Sequence, residues 1–243
     1  MIIPGRRLTV APFFFFIWEA ICVEDLRLAV QYAPIIHFDV NETIPLRRVG
    51  YTVFRAAGRS DSFPKREVAP GAGGLVIEYA FFWDYDIQHM YDLEHIWVYA
   101  AADGAVTRAE GSFHEKYLTL WEPGMPFSMP PEGTRVHAFC QPGKHAFLPD
   151  GQLFRLIPGW QACCREQAGG PVEVGNPFHG AYCPTPEDDA RSTGYIRRAL
   201  TFTPNLAFDG GHIVPGELLV PWVTLKAWIP GRIAQLCGEL VNG

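Results

Sequence analysis

The run Leu75-Val76-Ile77-Glu78-Tyr79-Ala80-Phe81-Phe82-Trp83 constrains this chain more than any other segment. A strand points successive side chains to opposite faces, and here both faces are apolar. Such a strand has to be covered on both sides, which predicts a central place in a sheet. A second apolar run, residues 93–101, follows a short irregular segment, and Asp103-Gly104 supplies a hairpin turn into residues 105–110. Residues 111–120 and 134–140 continue the series, and 35–40 and 48–54 precede it, with a long loop at 58–74. The 24 glycines and 21 prolines among 243 residues favour short strands and tight turns over long helices.

Helical signals gather at the two ends. Residues 23–32 carry Leu26, Ala29 and Val30 at helical spacing. Thr185-Pro186-Glu187-Asp188 is a helix start with Thr as N-cap and Pro at the first helical position, predicting a helix to about residue 200. Residues 221–228 and 231–240 read as two short helices broken at Pro230. The expected fold is mainly β, an antiparallel β-sandwich with peripheral helices, several of them C-terminal. It is expected as a single domain over 1–243, with a sandwich core at about 32–183 and helical additions at about 185–243.

Charge and motifs exclude some function classes. The net charge is −6 and no stretch interleaves Lys and Arg with aromatics, which argues against a nucleic-acid partner. No Gly-x-Ser-x-Gly, P-loop or dinucleotide fingerprint occurs. The six cysteines include no Cys-x-x-Cys pair and read as scattered thiols, with Cys163-Cys164 as neighbours in the core. Arg6 and Arg7 precede the apolar run Phe13 to Trp18, which imitates a signal peptide but is too short to span a bilayer. Glu19, Glu24 and Asp25 stand where small neutral residues belong, so a cytoplasmic chain is favoured over a secreted one.

The chemistry-bearing residues cluster at 84–95. If 93–101 is a strand, Asp92 and Glu94 share the face that next carries Ile96 and Val98. Burying two carboxylates costs several kcal/mol each, about the scale of desolvating an ion, unless a cation or strong donors compensate. Asp84 and Asp86 end the preceding strand on one face with Phe82, and His89 lies in the turn between. Carboxylates with one imidazole suit a divalent ion: Mg²⁺, Mn²⁺ or Ca²⁺. A zinc site of His89, His114 and His145 is the runner-up. His114, mid-strand, and His145, at a loop tip, are candidates for catalytic proton transfer beside the ion.

The segment Tyr79 to Asp86 followed by His89-x-x-Asp92-x-Glu94-His95 resembles the signature region of the necrosis- and ethylene-inducing-peptide-like proteins. There an aromatic strand ends in a metal-binding Asp and a Gly-His-Arg-His-Asp-Trp-Glu heptapeptide follows. The resemblance implies Asp86, His89, Asp92 and Glu94 as cation ligands. It is similar also to a vacuolar-sorting-like group with the core His-x-Gly-Asp-Trp-Glu-His, which His95 and Gly143-Lys144-His145-Ala146 fit. Gln88, Tyr91 and Leu93 depart from the heptapeptide, and residues 150–243 match nothing in the toxin family.

Two functions follow as expectations. One is a divalent-metal-dependent enzyme of hydrolase or lyase type, acting on a small oxygen-rich or cyclisable substrate. The other is a cytolysin-like protein whose cation binds a glycan or lipid head group without chemistry.

Overall fold

A computed structural model describes residues 23–242; the Phe13 to Trp18 run and Cys22 lie outside the described residues. The protein is mainly β. The largest sheet has six strands, in the spatial order β12 (Leu219–Pro221), β2 (Leu46–Phe54), β5 (Leu75–Asp86), β6 (His89–Ala100), β7 (Val106–Phe113) and β8 (Lys116–Trp121). A four-stranded sheet runs β10 (Phe147–Leu148), β9 (His137–Cys140), β1 (Ile35–His37) and β11 (His212–Ile213). The long loop holds a small hairpin of β3 (Gly58–Arg59) and β4 (Glu67–Val68). Strand pairing is antiparallel except for β1 with β9 and β12 with β2.

The central strand is where its composition demands. β5 lies between β2 and β6, and its two faces meet different layers. Phe81 and Trp83 meet Phe147 of the four-stranded sheet, at ring separations of 5.1 and 6.5 Å. On that side Tyr79 also donates to the Ala29 carbonyl at 2.8 Å, tying the sheet to helix α1 (residues 23–31). Phe82 faces the other way, edge-on to Trp228 of the C-terminal helix α3 (Trp222–Asn242). Gly50 of β2 makes this packing close: a Cβ there would lie 2.9 Å from the Trp222 ring.

Several sequence expectations need correction. The segment between the two apolar runs is not irregular: β5 and β6 form one hairpin in which Asp86 pairs with His89. In α1 Leu28 and Ala29 turn inward, with Tyr32 just after the helix, whereas Leu26 and Val30 are exposed. Pro230 does not break the C-terminal segment, which is a single helix. Pro in a helix interior costs about 3 kcal/mol. Leu225, Ile229, Ile233, Leu236 and Cys237 are buried along one stripe of α3, and at about 1.5–3 kcal/mol for each large side chain their burial outweighs that cost.

The helix start at Thr185 is as read. In α2 (Pro186–Tyr195) the Thr185 hydroxyl accepts from the Asp188 N–H, and the Asp188 carboxylate accepts from the Thr185 N–H. Thr185→Ala should lower stability by about 1 kcal/mol, measured by urea unfolding. The helix then continues as a π-turn, Ile196–Leu200.

Candidate metal and ligand pocket

The β5–β6 turn is held from two sides, and both clamps place functional groups. Gly143 accepts the Ile87 N–H at 2.8 Å and packs so closely that a Cβ would lie 2.9 Å from Ile87 and from the Cys164 sulfur. Gly143 has a φ of +67°, a backbone region that glycine enters without strain. This docking brings Lys144 and His145 onto the acidic hairpin. From the other side, Gly169 donates to the Ile87 carbonyl at 2.8 Å and Met90 donates to the Pro171 carbonyl at 2.9 Å.

A cavity of about 420 Å³ opens beside this hairpin, and Asp86, His89, Asp92, Glu94 and His114 all line it. The three carboxylates are buried, at 1%, 8% and 9% exposure. Asp86 is bonded to the Lys144 ammonium and to the Gln88 N–H, and lies 3.5 Å from His89 Nε2. Asp92 accepts from the Leu93 N–H at 2.9 Å and is 2.8 Å from His145 Nδ1. Glu94 accepts from the Ser112 hydroxyl through one oxygen.

Electrostatics separates the three acids. Burial and then the nearby Asp92 hold the Glu94 carboxyl well above the usual range. At Asp86 burial acts in the same sense but is outweighed by His89 and Lys144, so its pKa is lowered. Burial likewise disfavours charge on His145, yet the Asp92 hydrogen bond and charge outweigh it and raise the imidazole pKa. Lys144 is raised in the same way, burial being overcome by Asp86. The pocket therefore holds two compensated carboxylates and a third, Glu94, for which the chain provides no opposite charge in contact.

His89 Nδ1 lies 2.7 Å from the Tyr91 carbonyl. A carbonyl can only accept, so Nδ1 carries a proton and Nε2 is the nitrogen turned toward Asp86. A carbonyl behind the ring is the usual support of a metal-binding imidazole. Among the described residues, however, no three His, Cys, Asp or Glu side chains are disposed to hold a metal ion as they stand.

Other expected residues stand differently from the sequence reading. His114 is not mid-strand but in the tight turn between β7 and β8, where it and Glu115 have φ of +47° and +64°. Both line the pocket, and such conformations in residues other than glycine concentrate at functional sites. His114 Nε2 is 3.1 Å from the Gln141 side-chain oxygen. His145 is fully buried beneath Asp92, its ring stacked on Trp83 at 4.3 Å and 2°, so it orients the carboxylate and does not line the cavity. His89, His114 and His145 therefore do not come together as the zinc alternative requires. Asp84 does not join Asp86: it pairs with Arg47 and Arg232, while Asp86 accepts from the Gln88 N–H and meets Lys144.

Lys144 was missed as a pocket residue; its place beside His145 in the Gly-Lys-His-Ala stretch was the available signal. Phe63, Lys65 and Asn176 also line the cavity from distant segments, and nothing in the sequence pattern marks them. His95, which the vacuolar-sorting-like core includes, lies at the cavity edge with Nε2 3.0 Å from the Ser62 hydroxyl. Burial depresses its pKa to about 3, so it is neutral at physiological pH.

No helix among the described residues is long and apolar enough to cross a membrane. No protein-family model matches the sequence, and no curated protein matches it. Among solved structures, NLPPya in complex with glucosamine is 18% identical, with a TM-score of 0.35 over 63% of this chain and 83% of that chain. NLPPya in complex with mannosamine gives 18% and 0.34 over 63% and 84%, and a mutant form of NLPPya gives 17% and 0.33 over 69% and 88%. At these values the likenesses assign no activity, and the pocket stands on its own geometry.

Proposed function

We propose that this pocket binds a hydroxyl-rich ligand of the glycan type with the help of one divalent cation held by Asp86, His89, Asp92 and Glu94. The observation that carries the reading is the set of three buried acidic side chains and one imidazole, backed by a carbonyl, on a single open cavity. Oxygen-rich donors with one nitrogen fit Mg²⁺, Mn²⁺ or Ca²⁺ better than zinc. Such an ion, when bound, supplies a positive charge that attracts ligand hydroxyls. The chain itself orients the donors: Leu93 N–H and His145 fix Asp92, Ser112 fixes Glu94, and Tyr91 fixes His89. Lys144 is paired with Asp86, and a cation bound there would have to displace it from that carboxylate.

Binding is preferred over an enzymatic role because the proton-transfer residues are poorly provided. His145 has no exposed surface, and the His114 ring is engaged by Gln141. A cation held there would keep open positions that the vicinal hydroxyls of a sugar can fill. The test is calorimetric titration of the full chain with Ca²⁺, Mg²⁺ and Mn²⁺, then with glucosamine, in cation and in excess chelator. Saturable cation binding, a higher melting temperature with cation, and glucosamine binding lost in chelator are expected. Asp92→Asn and Glu94→Gln should each weaken the cation about tenfold or more, since a charge-assisted contact is worth about 1.5–3 kcal/mol. Glucosamine binding unchanged by chelator would remove the cation from the reading. Absence of both bindings would end it.

A further inference from the structure

A second cavity, of about 540 Å³, lies on the opposite side of the β5–β6 hairpin, between β5, α2 and α3. Its wall carries four guanidiniums: Arg47, Arg191, Arg198 and Arg232. Three carboxylates answer them among the described residues: Asp84 and Glu239 in the wall, and Asp188 beside Arg191. Asp84 is buried and fully used: Arg232 grips both its oxygens, at 2.9 and 2.7 Å, and Arg47 adds a third bond at 2.6 Å. Glu239 makes a long contact with Arg232, at 3.5 Å, and accepts from the Gln235 amide at 2.7 Å.

The remaining donors are unspent. Each guanidinium offers five N–H groups. Arg191 has one pairing, 3.6 Å to Asp188, and Arg198 makes no ion pair or hydrogen bond among the described residues. Arg191, Gly194, Tyr195 and Arg198 follow one another along a single stripe of α2 and its π-turn. Gly194 leaves the centre of that stripe open, with nothing within 4 Å of where its Cβ would be. Tyr195 and Tyr85, ring centroids 5.1 Å apart, bring two phenols to the same wall. The π-turn is an independent sign, since these rare widened turns occur often at functional sites.

We propose that this cavity is a binding site for a phosphate monoester. A surplus of positive charge concentrated here, in a chain of net charge −6, marks an anion site. Guanidinium forks match the paired oxygens of a phosphate, and Asp84 holds two of them at fixed angles. The volume leaves room for an organic group the size of a sugar beside the phosphate. The two phenols provide hydroxyl donors and ring faces for it.

The test uses the full chain, titrated at constant ionic strength with inorganic phosphate, glucose 6-phosphate and citrate, and mixed with phosphatidylcholine vesicles with and without phosphatidic acid. Saturable binding of glucose 6-phosphate is expected, tighter than citrate and weakened about tenfold or more in Arg191→Gln/Arg198→Gln. Cation binding at the acidic pocket should be unchanged in that variant. Vesicle sedimentation that glucose 6-phosphate competes away would identify the phosphate as a lipid head group; soluble binding without sedimentation would identify a free ester. If the double variant loses its fold, Arg198→Gln alone carries the same comparison. The proposal is overturned if none of the phosphate probes binds saturably, if citrate binds as tightly as glucose 6-phosphate, or if the variant that folds binds glucose 6-phosphate as wild type does.

Discussion

Glu110→Ala should cost about 3–5 kcal/mol of folding stability, the loss typical of stranding a buried charge. Glu110 of β7 is 2% exposed and bonds the Arg66 guanidinium, itself 2% exposed, together with Arg108 and the Tyr99 hydroxyl. Arg66 is sandwiched between Trp97 and Tyr117, with ring centroids 3.8 and 3.7 Å from its guanidinium carbon. Without Glu110 that cation stays between two rings with no carboxylate to balance it, and cation–π attraction returns only about 1–2 kcal/mol. Arg66→Met combined with Glu110→Leu should recover much of the loss, because neither charge is then buried. Urea unfolding of both variants checks the pair. A loss below about 1 kcal/mol in Glu110→Ala would mean that Arg66 swings into water, contrary to its packing.

The second large effect lies at Gly170. A Cβ there would be 1.5 Å from the Gln88 carbonyl oxygen, a backbone atom that moves only if the β5–β6 turn moves. Gly170→Ala should therefore cost about 3 kcal/mol or more, at or beyond the upper end of ordinary overpacking. It should also weaken cation binding, since the displaced turn carries Asp86 and His89. Gly231→Ala gives the contrast: within α3, with open space at the Cβ position, it should raise stability by about 0.5–1 kcal/mol. Thermal unfolding and cation titration of the two variants measure both expectations. Equal stability in the two would show that the Gly170 contact relaxes freely.

The central strand and the capped helix were legible because their signals are local. An apolar run on both faces of β5 admits few placements, and Thr185 with Asp188 satisfies the backbone donors of that one turn whatever surrounds them. The hairpin at Asp86–His89 leaves no mark in the sequence, because Ile87 and Gln88 are not among the usual turn residues. Its geometry is imposed instead by Gly143 and Gly169 from elsewhere in the chain. Similarly, His114 and Glu115 adopt positive φ without glycine, which no propensity foretells. Pro230 signals a break by a local penalty, and the burial that outweighs it exists only in the folded chain.

The acidic pocket was partly legible because four of its residues lie within nine positions of one another. Its basic member, Lys144, and the burial of His145 come from a loop docked through Gly143, which periodicity does not report. The arginine cavity had no sequence signature at all. Its side chains come from β2, α2 with its π-turn, and α3, and only the fold gathers them.

The edge strand β12 gives the protein a particular history during synthesis. β2 emerges from the ribosome early, and its hairpin partner β5 follows soon after. The other edge of β2 pairs with Leu219–Pro221, and α3 then covers the same strand through Trp222 and Leu225. Until β12 and the helix after it have been made, that edge of β2 has bare N–H and C=O groups and an uncovered apolar face. Unpaired edges of this kind recruit other strands. Nascent chains stalled before residue 219 are therefore the form of this protein most prone to aggregate and most in need of a chaperone. Release of β12 and α3 is the event that closes the sheet.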